Sequence, residues 1–394
     1  MSVFVESFWA IILFDALFIW RGGKALAPKP WLKYTFYSLI AALFALYFVG
    51  LFGFKSLGSV TMRHILNICN TYYFIAIYAV MGLILCELLA LLDRFTFRWF
   101  YRSSERNKRK VRYFAFTAVL LSSLLIVASG MMRVAHPQIT HLSLSTTKRT
   151  PACRDSVRIA FISDVHIGES IRPRHIRSYV DQILRQKPDI LLVGGDLFDY
   201  FSCYGYDGDI IPLMRDLASE IPLGVYMVMG NHDYRADTPE KVQWVKDCHA
   251  HLLIDTAQLI DNCFYLVGRD DATQRHRKET ADIMANINKS LPIVYFEHQP
   301  KELNKLPTQW VDLALYGHTH DGQIWPFKWI VEAYFPLAYG YRRIGNTHFY
   351  VSSGIGAAGP AIRVGTRSEI VVIDLVFGCL LYTSDAADDS LRVD

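Results

Sequence analysis

The stretch VRIAFISDVHIG, residues 157–168, decides the fold of the larger part of this chain. Its first half is apolar and β-branched apart from one arginine, which is typical of a buried strand. Asp164 and His166 follow at once, and neither residue type is needed to build a core. The stretch therefore predicts a buried strand whose carboxyl end carries polar chemistry.

The same pattern recurs along the chain after this stretch. Strands are predicted at 157–163, 189–195, 224–230, 263–268, 292–297, 312–317, 348–353 and 369–375. Amphipathic segments of helical length lie between some of them, at 172–187, 239–252 and 278–291. Alternation of strands and helices predicts an α/β fold with a central sheet and flanking helices.

Polar side chains follow five of these predicted strands where each strand ends. They are Asp164, His166, Asp196, Asp199, Asn231, His232, Asp233, His298, His318 and His320. Ligands of α/β sheets bind at the carboxyl ends of strands, so we expect these side chains to lie at one edge. Imidazole and carboxylate together suit Mn, Fe and Zn, and two such ions about 3.5–4 Å apart can clamp a phosphoryl group. The pattern predicts a site for two divalent metal ions.

The ordered motifs also resemble a known family. They read Asp164-Val165-His166, Gly195-Asp196-Leu197-Phe198-Asp199, Gly230-Asn231-His232-Asp233, His298 and Gly317-His318-Thr319-His320. Each motif alone is a weak signal, but the five in this order resemble the calcineurin-like metallophosphoesterase superfamily, and especially its bacterial membrane-associated branch. The resemblance covers about 155–376 and implies an α/β metallophosphoesterase domain with a central β-sandwich flanked by helices.

The resemblance also implies a role for each motif residue. The first metal would be held by Asp164, His166, Asp196 and His320. The second would share Asp196 and be held by Asn231, His298 and His318. His232 would lie beside the scissile phosphate, oriented by Asp199, and a hydroxide bridging the metals would attack in line. The expected cofactors are two divalent ions, Mn²⁺ first, with Fe and Zn as alternatives.

Several residues near the motifs keep two interpretations. Asp199 and Asp233 could only cap the turns that follow them, and Asp270 and Asp271 could shape the pocket or form a turn. Arg363 could contact a phosphate oxygen, although a surface position is commoner. The branch usually continues GHTHGGQ, whereas this chain reads GHTHDGQ, with Asp321 in place of the glycine that follows the second histidine. We expect this substitution to add a carboxylate near the mouth of the site.

The first third of the chain is predicted to lie in a membrane. Of 394 residues 52% are apolar and the mean hydropathy is +0.18, with the excess concentrated before residue 133. Four segments, 3–20, 34–54, 66–92 and 113–132, approach the roughly 20 apolar residues that a spanning helix needs. We therefore predict a four-helix transmembrane region at 1–132, a linker at 133–154, the metallophosphoesterase domain at 155–377 and a non-native or disordered tail at 378–394.

Basic residues predict the orientation of these segments. They concentrate in the loops 21–33 and 93–112, whereas the loop 55–65 holds only Lys55 and Arg63. Because positive loops stay cytoplasmic, four spans would place the catalytic domain on the extracytoplasmic, periplasmic side. On that side a bridge between Cys248 and Cys263 is an option, and buried free thiols are the alternative.

The net charge of the chain and its predicted membrane helices indicate which partners to expect. A formal net charge of +4 is too small to indicate a nucleic-acid partner, and none is expected. The expected partners are the bilayer and a phosphate ester, which an anchored enzyme would meet most readily as a lipid-linked ester or pyrophosphate. A tethered hydrolase of soluble nucleotides is the alternative, and a non-catalytic receptor is disfavoured because no ligand of the motif series is missing. Oligomeric state is not predicted.

Overall fold

The computed structural model of this chain describes residues 2–52, 59–149, 153–168, 170–199 and 207–378. The chain divides into two compact units. The first comprises the residues up to Arg133 together with Gly359–Val364, and the second comprises Val134–Ala358 and the residues from Gly365 onward. The predicted tail, 378–394, lies outside the described residues except for Gly378.

The first unit is helical. Its helices are α1 (Ser2–Leu26), α2 (Pro30–Phe52), α3 (Ser59–Phe95), α4 (Trp99–Arg102) and α5 (Glu105–Ala135). Within the described residues, Pro30–Val49, His64–Phe95 and Glu105–Ala135 are long and apolar enough to cross a membrane, and they correspond to the last three predicted spans. The first predicted span, 3–20, falls in α1, where most of the side chains lie outside the described part, so this span stays a prediction.

Apolar side chains of the first unit pack inward and also face outward. Phe18, Ile40, Ala79 and Phe116 are buried where α1, α2, α3 and α5 meet. Small residues such as Ala79 let helices approach closely in a membrane. Leu125 on α5 is instead 71% exposed. Long helices satisfy their backbone hydrogen bonds internally, and an apolar outer surface is stable against lipid. This unit is therefore a membrane region.

Within the described residues, the second unit contains twelve strands and five α-helices. The strands are β1 (Gln138–Thr146), β2 (Ser156–Ile162), β3 (Ile190–Gly194), β4 (Val225–Val228), β5 (His251–Leu252), β6 (Thr256–Ile260), β7 (Phe264–Gly268), β8 (Ile293–Phe296), β9 (Leu313–Tyr316), β10 (Gly340–Ile344), β11 (Thr347–Val351) and β12 (Glu369–Phe377). The helices are α6 (Pro173–Arg185), α7 (Asp207–Glu220), α8 (Thr238–Asp247), α9 (Thr280–Ile283) and α10 (Phe327–Tyr334).

The strands form two mixed six-stranded sheets. The first has the order β1-β12-β2-β3-β4-β5, with β2 to β5 parallel, and the second has the order β10-β11-β9-β8-β7-β6, with β11, β9, β8 and β7 parallel. One apolar core joins them, because side chains such as Phe161 and Leu192 of the first sheet cluster with Phe296 and Leu315 of the second. This sandwich, with α6, α7 and α8 in contact along the chain, confirms the predicted α/β class.

All eight predicted strands are present, but two predictions for segments outside these strands need correction. The segment 133–154, predicted as a linker, contains β1, which pairs in parallel with β12 at the edge of the first sheet. The helix predicted at 278–291 is reduced to the single turn of α9. The Asn288 carboxamide oxygen accepts the Ser290 backbone N–H and hydroxyl, and this local turn competes with continuation of the helix.

The cysteines pair differently from the option considered above. Cys263 forms a disulfide with Cys153, and Cys248 is a buried cysteine outside this bridge. The bridge therefore joins the segment before β2 to the turn between β6 and β7.

Candidate metal centre

The candidate centre lies at the carboxyl ends of β2, β3 and β4 of one sheet and β8 and β9 of the other. Each parallel strand stops and its loop turns sharply. Asp164, His166, Asp196, His318 and His320 all have φ between 52° and 73°. Non-glycine residues adopt this left-handed region rarely and at a cost of roughly 1–3 kcal/mol, and such residues concentrate at functional sites. The loops hold these side chains in conformations that the core does not require.

One group of three side chains meets around Asp164. The ligand atoms of Asp164, His166 and His320 all lie within 4.8 Å of one another. The His166 and His320 Nε2 atoms are 3.1 Å apart, and His320 Nε2 is 3.3 Å from Asp164 Oδ1. Two imidazoles and a carboxylate at this spacing form a partial coordination shell of the kind that divalent transition metals accept.

A second group meets around Asp196. The ligand atoms of Asp196, His298 and His318 also lie within 4.8 Å of one another. His298 Nε2 is 3.1 Å from Asp196 Oδ2 and 3.3 Å from His318 Nδ1. Asp196 Oδ2 is also 3.7 Å from His166 Nε2, so Asp196 lies between the two groups. This placement suits a carboxylate shared by two ions.

Asn231, next to His232 in the chain, has a buried side-chain amide oxygen. Its Oδ1 atom is buried and accepts no hydrogen bond among the described residues. A buried acceptor without a partner costs roughly 1–3 kcal/mol, so such atoms in native proteins need an explanation. A metal ion would satisfy this oxygen. The donor set of imidazoles, carboxylates and one amide therefore fits divalent metal ions.

His232 and Asp199 form a pair beside this cluster. His232 Nδ1 donates to the Asp199 backbone oxygen at 2.7 Å and lies 3.1 Å from the Asp199 carboxylate. Since a carbonyl oxygen can only accept, Nδ1 carries the proton and Nε2 is the nitrogen left for other chemistry. The same carboxylate oxygen of Asp199 is 3.3 Å from His166 Nδ1. Asp199 therefore contacts a candidate ligand as well as His232.

Electrostatics favour carboxylates that stay charged. Burial works against ionisation of Asp196, but the charges of His298, His232 and His166 hold its pKa well below the usual range. Burial likewise opposes a charge on His298, and the neighbouring Asp196 nevertheless raises its pKa to about 10. Burial and the His298 charge lower the pKa of His318 to about 3. The carboxylates therefore demand positive charge, which metal ions can supply in place of the imidazole proton.

Two glycines of the motifs are needed because backbone and carboxylate approach closely. A Cβ at Gly230 would lie 2.1 Å from Asp196 Oδ1, and one at Gly317 would lie 2.5 Å from Asp164 Oδ2. Both distances are far shorter than a van der Waals contact. The glycines let the loops after β4 and β9 approach the two central aspartates.

Asp233 has a structural role that the motif alone did not identify. It is buried, and its carboxylate accepts the Gly230 N–H at 2.9 Å and the N–H groups of Leu197 and Phe198. It therefore joins the loop after β4 to the loop after β3. A pattern of hydrogen bonds across 36 residues gives no local sequence signal.

Two other residues, Asp321 and Arg363, differ from their first interpretation. Asp321 is buried and forms an ion pair with Lys328 at 3.1 Å, so it is not a free carboxylate at the mouth. Arg363 is fully buried instead of lying on the surface. Asp271 accepts the Thr273 N–H, which is the turn considered for it, and it also accepts the Gln299 side chain beside His298.

Comparison with known proteins agrees with this geometry. Residues 157–322 match the family model of the calcineurin-like phosphoesterases. An uncharacterised metallophosphoesterase of Campylobacter jejuni is 28% identical over 270 residues, spanning 66% of this chain and 69% of that protein. One from Helicobacter pylori is 30% identical over 244 residues, spanning 58% of this chain and 63% of the relative.

The similarity also reaches the membrane region. A bovine transmembrane protein with a metallophosphoesterase domain is 26% identical over 409 residues. The alignment covers 95% of this chain and 88% of that protein, so it includes apolar helices as well as the catalytic domain.

Proposed function

Since this chain belongs to the calcineurin-like metallophosphoesterases, which are metal-dependent phosphoesterases, we propose that it is a membrane-anchored, dinuclear hydrolase of phosphate esters. The observation that carries the proposal is the convergence of two groups of ligand atoms on Asp196, one built around Asp164 and one around His298. The buried Asn231 oxygen, which accepts no hydrogen bond from the described residues, supports it independently.

The residues suggest a division between the two ions. Asp164, His166, Asp196 and His320 would hold the first, and Asp196, Asn231, His298 and His318 the second. Two divalent ions, when bound, would clamp the phosphoryl oxygens and lower the pKa of a water toward about 7, so that hydroxide is available at neutral pH. We propose Mn²⁺ as the resident metal, with Fe or Zn as the alternatives for these donors.

His232 and Asp199 would handle the substrate's charge and proton. Because Asp199 holds His232 by Nδ1, the Nε2 atom is the one that can face a substrate. An Nε2 proton would stabilise negative charge on the phosphoryl group or pass to the leaving oxygen. Asp199 would keep the ring oriented and supply the counter-charge.

We propose that the substrate is lipid-linked or lies close to the membrane. Only residues 136 and 137 separate α5 from β1, so the catalytic domain follows the last apolar helix almost directly. A tether this short favours esters at the headgroup level over esters in bulk water. A soluble nucleotide is the competing substrate class.

We also propose that the domain is extracytoplasmic. The basic loops 21–33 and 93–112 support cytoplasmic ends for the spans that they connect. The Cys153–Cys263 bridge supports the same side, because disulfides persist in oxidising compartments. Labelling of a cysteine introduced at exposed His276, with an impermeant thiol reagent on intact cells, would test this orientation.

The deciding experiment is hydrolysis by the detergent-purified full-length protein, with Mn²⁺ supplied and then chelated. Bis-p-nitrophenyl phosphate, p-nitrophenyl phosphate and a phospholipid mixture would be compared. We expect metal-dependent turnover, with the preferred ester separating the lipid from the soluble class. Absence of both bound metal and turnover would refute the dinuclear proposal.

A further inference from the structure

The helix α10 carries an apolar face that nothing covers among the described residues. Trp329 and Ile330 are each 62% exposed and Tyr334 is 72% exposed, and no residue of this helix is buried. Phe327, Ile330 and Tyr334 are spaced three and four residues apart, so they lie along one side of the helix. Large apolar side chains grouped in this way mark an interaction surface, which is called the aromatic surface below.

The side chains of this surface are the types found at a membrane–water boundary. Trp325 and Trp329 lie edge to face with ring centroids 5.6 Å apart, and both are exposed. Tryptophan and tyrosine concentrate at the headgroup level of bilayers because each ring has an apolar body and a polar group. A short helix with one aromatic side is suited to lie in that interface.

Basic residues lie beside the aromatic surface. The β10–β11 hairpin exposes Arg342 and Arg343, and the Arg342 guanidinium donates to the Pro336 backbone oxygen at 2.8 Å, just after α10 ends. Lys328 extends from the helix itself, where Asp321 and more distantly Glu332 partly balance its charge. Exposed arginines next to apolar rings complement anionic lipid headgroups.

The same helix packs against the loop that carries two candidate ligands. The Phe335 ring, at the end of α10, lies edge to face with His318 at a centroid distance of 5.8 Å. Lys328 pairs with Asp321, next to His320, and the Thr319 hydroxyl donates to the Ala338 backbone oxygen at 2.6 Å. The helix that carries the aromatic surface therefore adjoins the loop of His318 and His320, while Trp329, Ile330 and Tyr334 themselves are exposed.

We propose that α10 is an interfacial anchor that inserts Trp329, Ile330 and Tyr334 into the headgroup region and so brings a membrane-resident phosphodiester to the centre. The proposal rests on the proposed phosphoesterase activity and specifies its substrate class as esters with an acyl or alkyl chain held in a bilayer. We assign the lipid surface as the partner of this helix, because the chain already has membrane helices and because Arg342 and Arg343 lie beside the aromatic surface.

The test uses two substrates that share one leaving group and differ in membrane residence. Hexadecyl p-nitrophenyl phosphate would be incorporated into lipid nanodiscs that hold the full-length protein, and methyl p-nitrophenyl phosphate would be added in solution. We expect the double variant W329S/I330S to lose about tenfold or more in turnover of the hexadecyl ester, equivalent to about 1.4 kcal/mol, and little for the methyl ester. The control I254S/L259S changes two exposed apolar residues outside α10 and should affect neither.

A second readout does not depend on activity. In nanodiscs made with lipids brominated in their acyl chains, the parent should lose more tryptophan emission than the W329F variant does. The W310F variant, whose ring packs against the core of the second sheet, should be quenched like the parent. If Trp329 is not quenched, or if both esters lose turnover equally in W329S/I330S, the interfacial role is wrong.

The outcomes also separate this inference from the proposed function. If the parent hydrolyses neither ester while Trp329 is quenched, the proposed phosphoesterase activity is refuted and the insertion of α10 into the bilayer is still supported. A change of oligomeric mass in W329S/I330S, without selective loss on the hexadecyl ester, would assign the aromatic surface to a second copy of the chain and overturn the inference.

Discussion

At the scale of single residues, Asp196 connects the two halves of the candidate centre. One carboxylate oxygen accepts the His232 backbone N–H at 2.8 Å, and the other lies between His298 and His166. We expect Asp196→Asn to lose bound metal as well as turnover, because an amide supplies no negative charge to share between two ions. Metal analysis of the purified variant measures this, and parental metal content would contradict a shared carboxylate.

His232 should behave differently, because it is assigned to substrate instead of metal. We expect His232→Ala to retain metal and to lose about 10²–10⁴-fold in kcat, the usual contribution of a positioned acid or base. His276→Ala, at an exposed position without a motif, is the matched control. Metal loss in His232→Ala would move this residue into the ligand set, which its proximity to His166 and Asp196 makes a real alternative outcome.

Asp199 provides a test of its two interpretations. Its carboxylate oxygen lies 3.3 Å from His166 Nδ1 and 3.1 Å from His232 Nδ1. We expect Asp199→Asn to weaken metal affinity by about 10–100-fold, as for other partners of metal-bound histidines, and to reduce kcat as well. Metal titration and turnover are the measurements. Unchanged values would leave Asp199 as a turn cap only.

At the scale of elements, the start of α6 predicts sensitivity to acid. His175 is buried, and its Nδ1 accepts the Arg172 backbone N–H at 3.0 Å. Burial, aided by the charges of Arg174 and Arg172, lowers the pKa of His175 to about 4. The unfolded chain, with a pKa near 6.5, therefore binds a proton before the folded chain does as the pH falls.

The sign of the effect follows from that order. The contribution of His175 to the free energy of unfolding is fully present above about pH 6.5 and is lost as the pH falls toward 4. The loss amounts to up to about 2 kcal/mol between pH 7 and pH 5. His175→Gln keeps an acceptor for Arg172 but does not titrate, so its unfolding free energy should change less over this range. Thermal unfolding at both pH values, with His276→Gln as control, measures it. Equal acid sensitivity of His175→Gln and the parent would exclude this histidine as the cause.

At the scale of the whole molecule, the Cys153–Cys263 bridge closes a long loop. The two residues are 110 positions apart, and the loop contains β2, β3 and β4 with their site residues. Removing a native disulfide usually costs about 2–5 kcal/mol, largely because the unfolded chain is then less restricted. We expect reducing agent to lower the unfolding temperature of the parent, and C153S/C263S to be insensitive to it.

Cys248 supplies the control for that comparison. Cys248→Ser should respond to reduction as the parent does, because Cys248 takes no part in the bridge. Non-reduced peptide mapping should find Cys153 linked to Cys263. A peptide that links Cys248 to Cys263 would instead favour the pairing considered from the sequence.

Local pattern was enough to predict much of the fold and the convergence of the candidate ligands. The eight predicted strands are all present, because runs of apolar, β-branched residues bounded by polar turns have few other ways to be buried. Their parallel arrangement then brings Asp164, Asp196 and His298 to one edge, since the carboxyl ends of parallel strands meet there. The apolar spans are likewise set by length and hydropathy.

Contacts between distant residues were decided only by the tertiary structure. β1 is an edge strand that pairs with β12 more than 200 residues later, and Cys263 meets Cys153 instead of nearby Cys248. Asp321 finds Lys328, and α10 shows an aromatic surface that its short sequence does not distinguish from a core helix. Periodicity reports which face of one element is apolar, whereas pairing and exposure depend on what the rest of the chain places against that face.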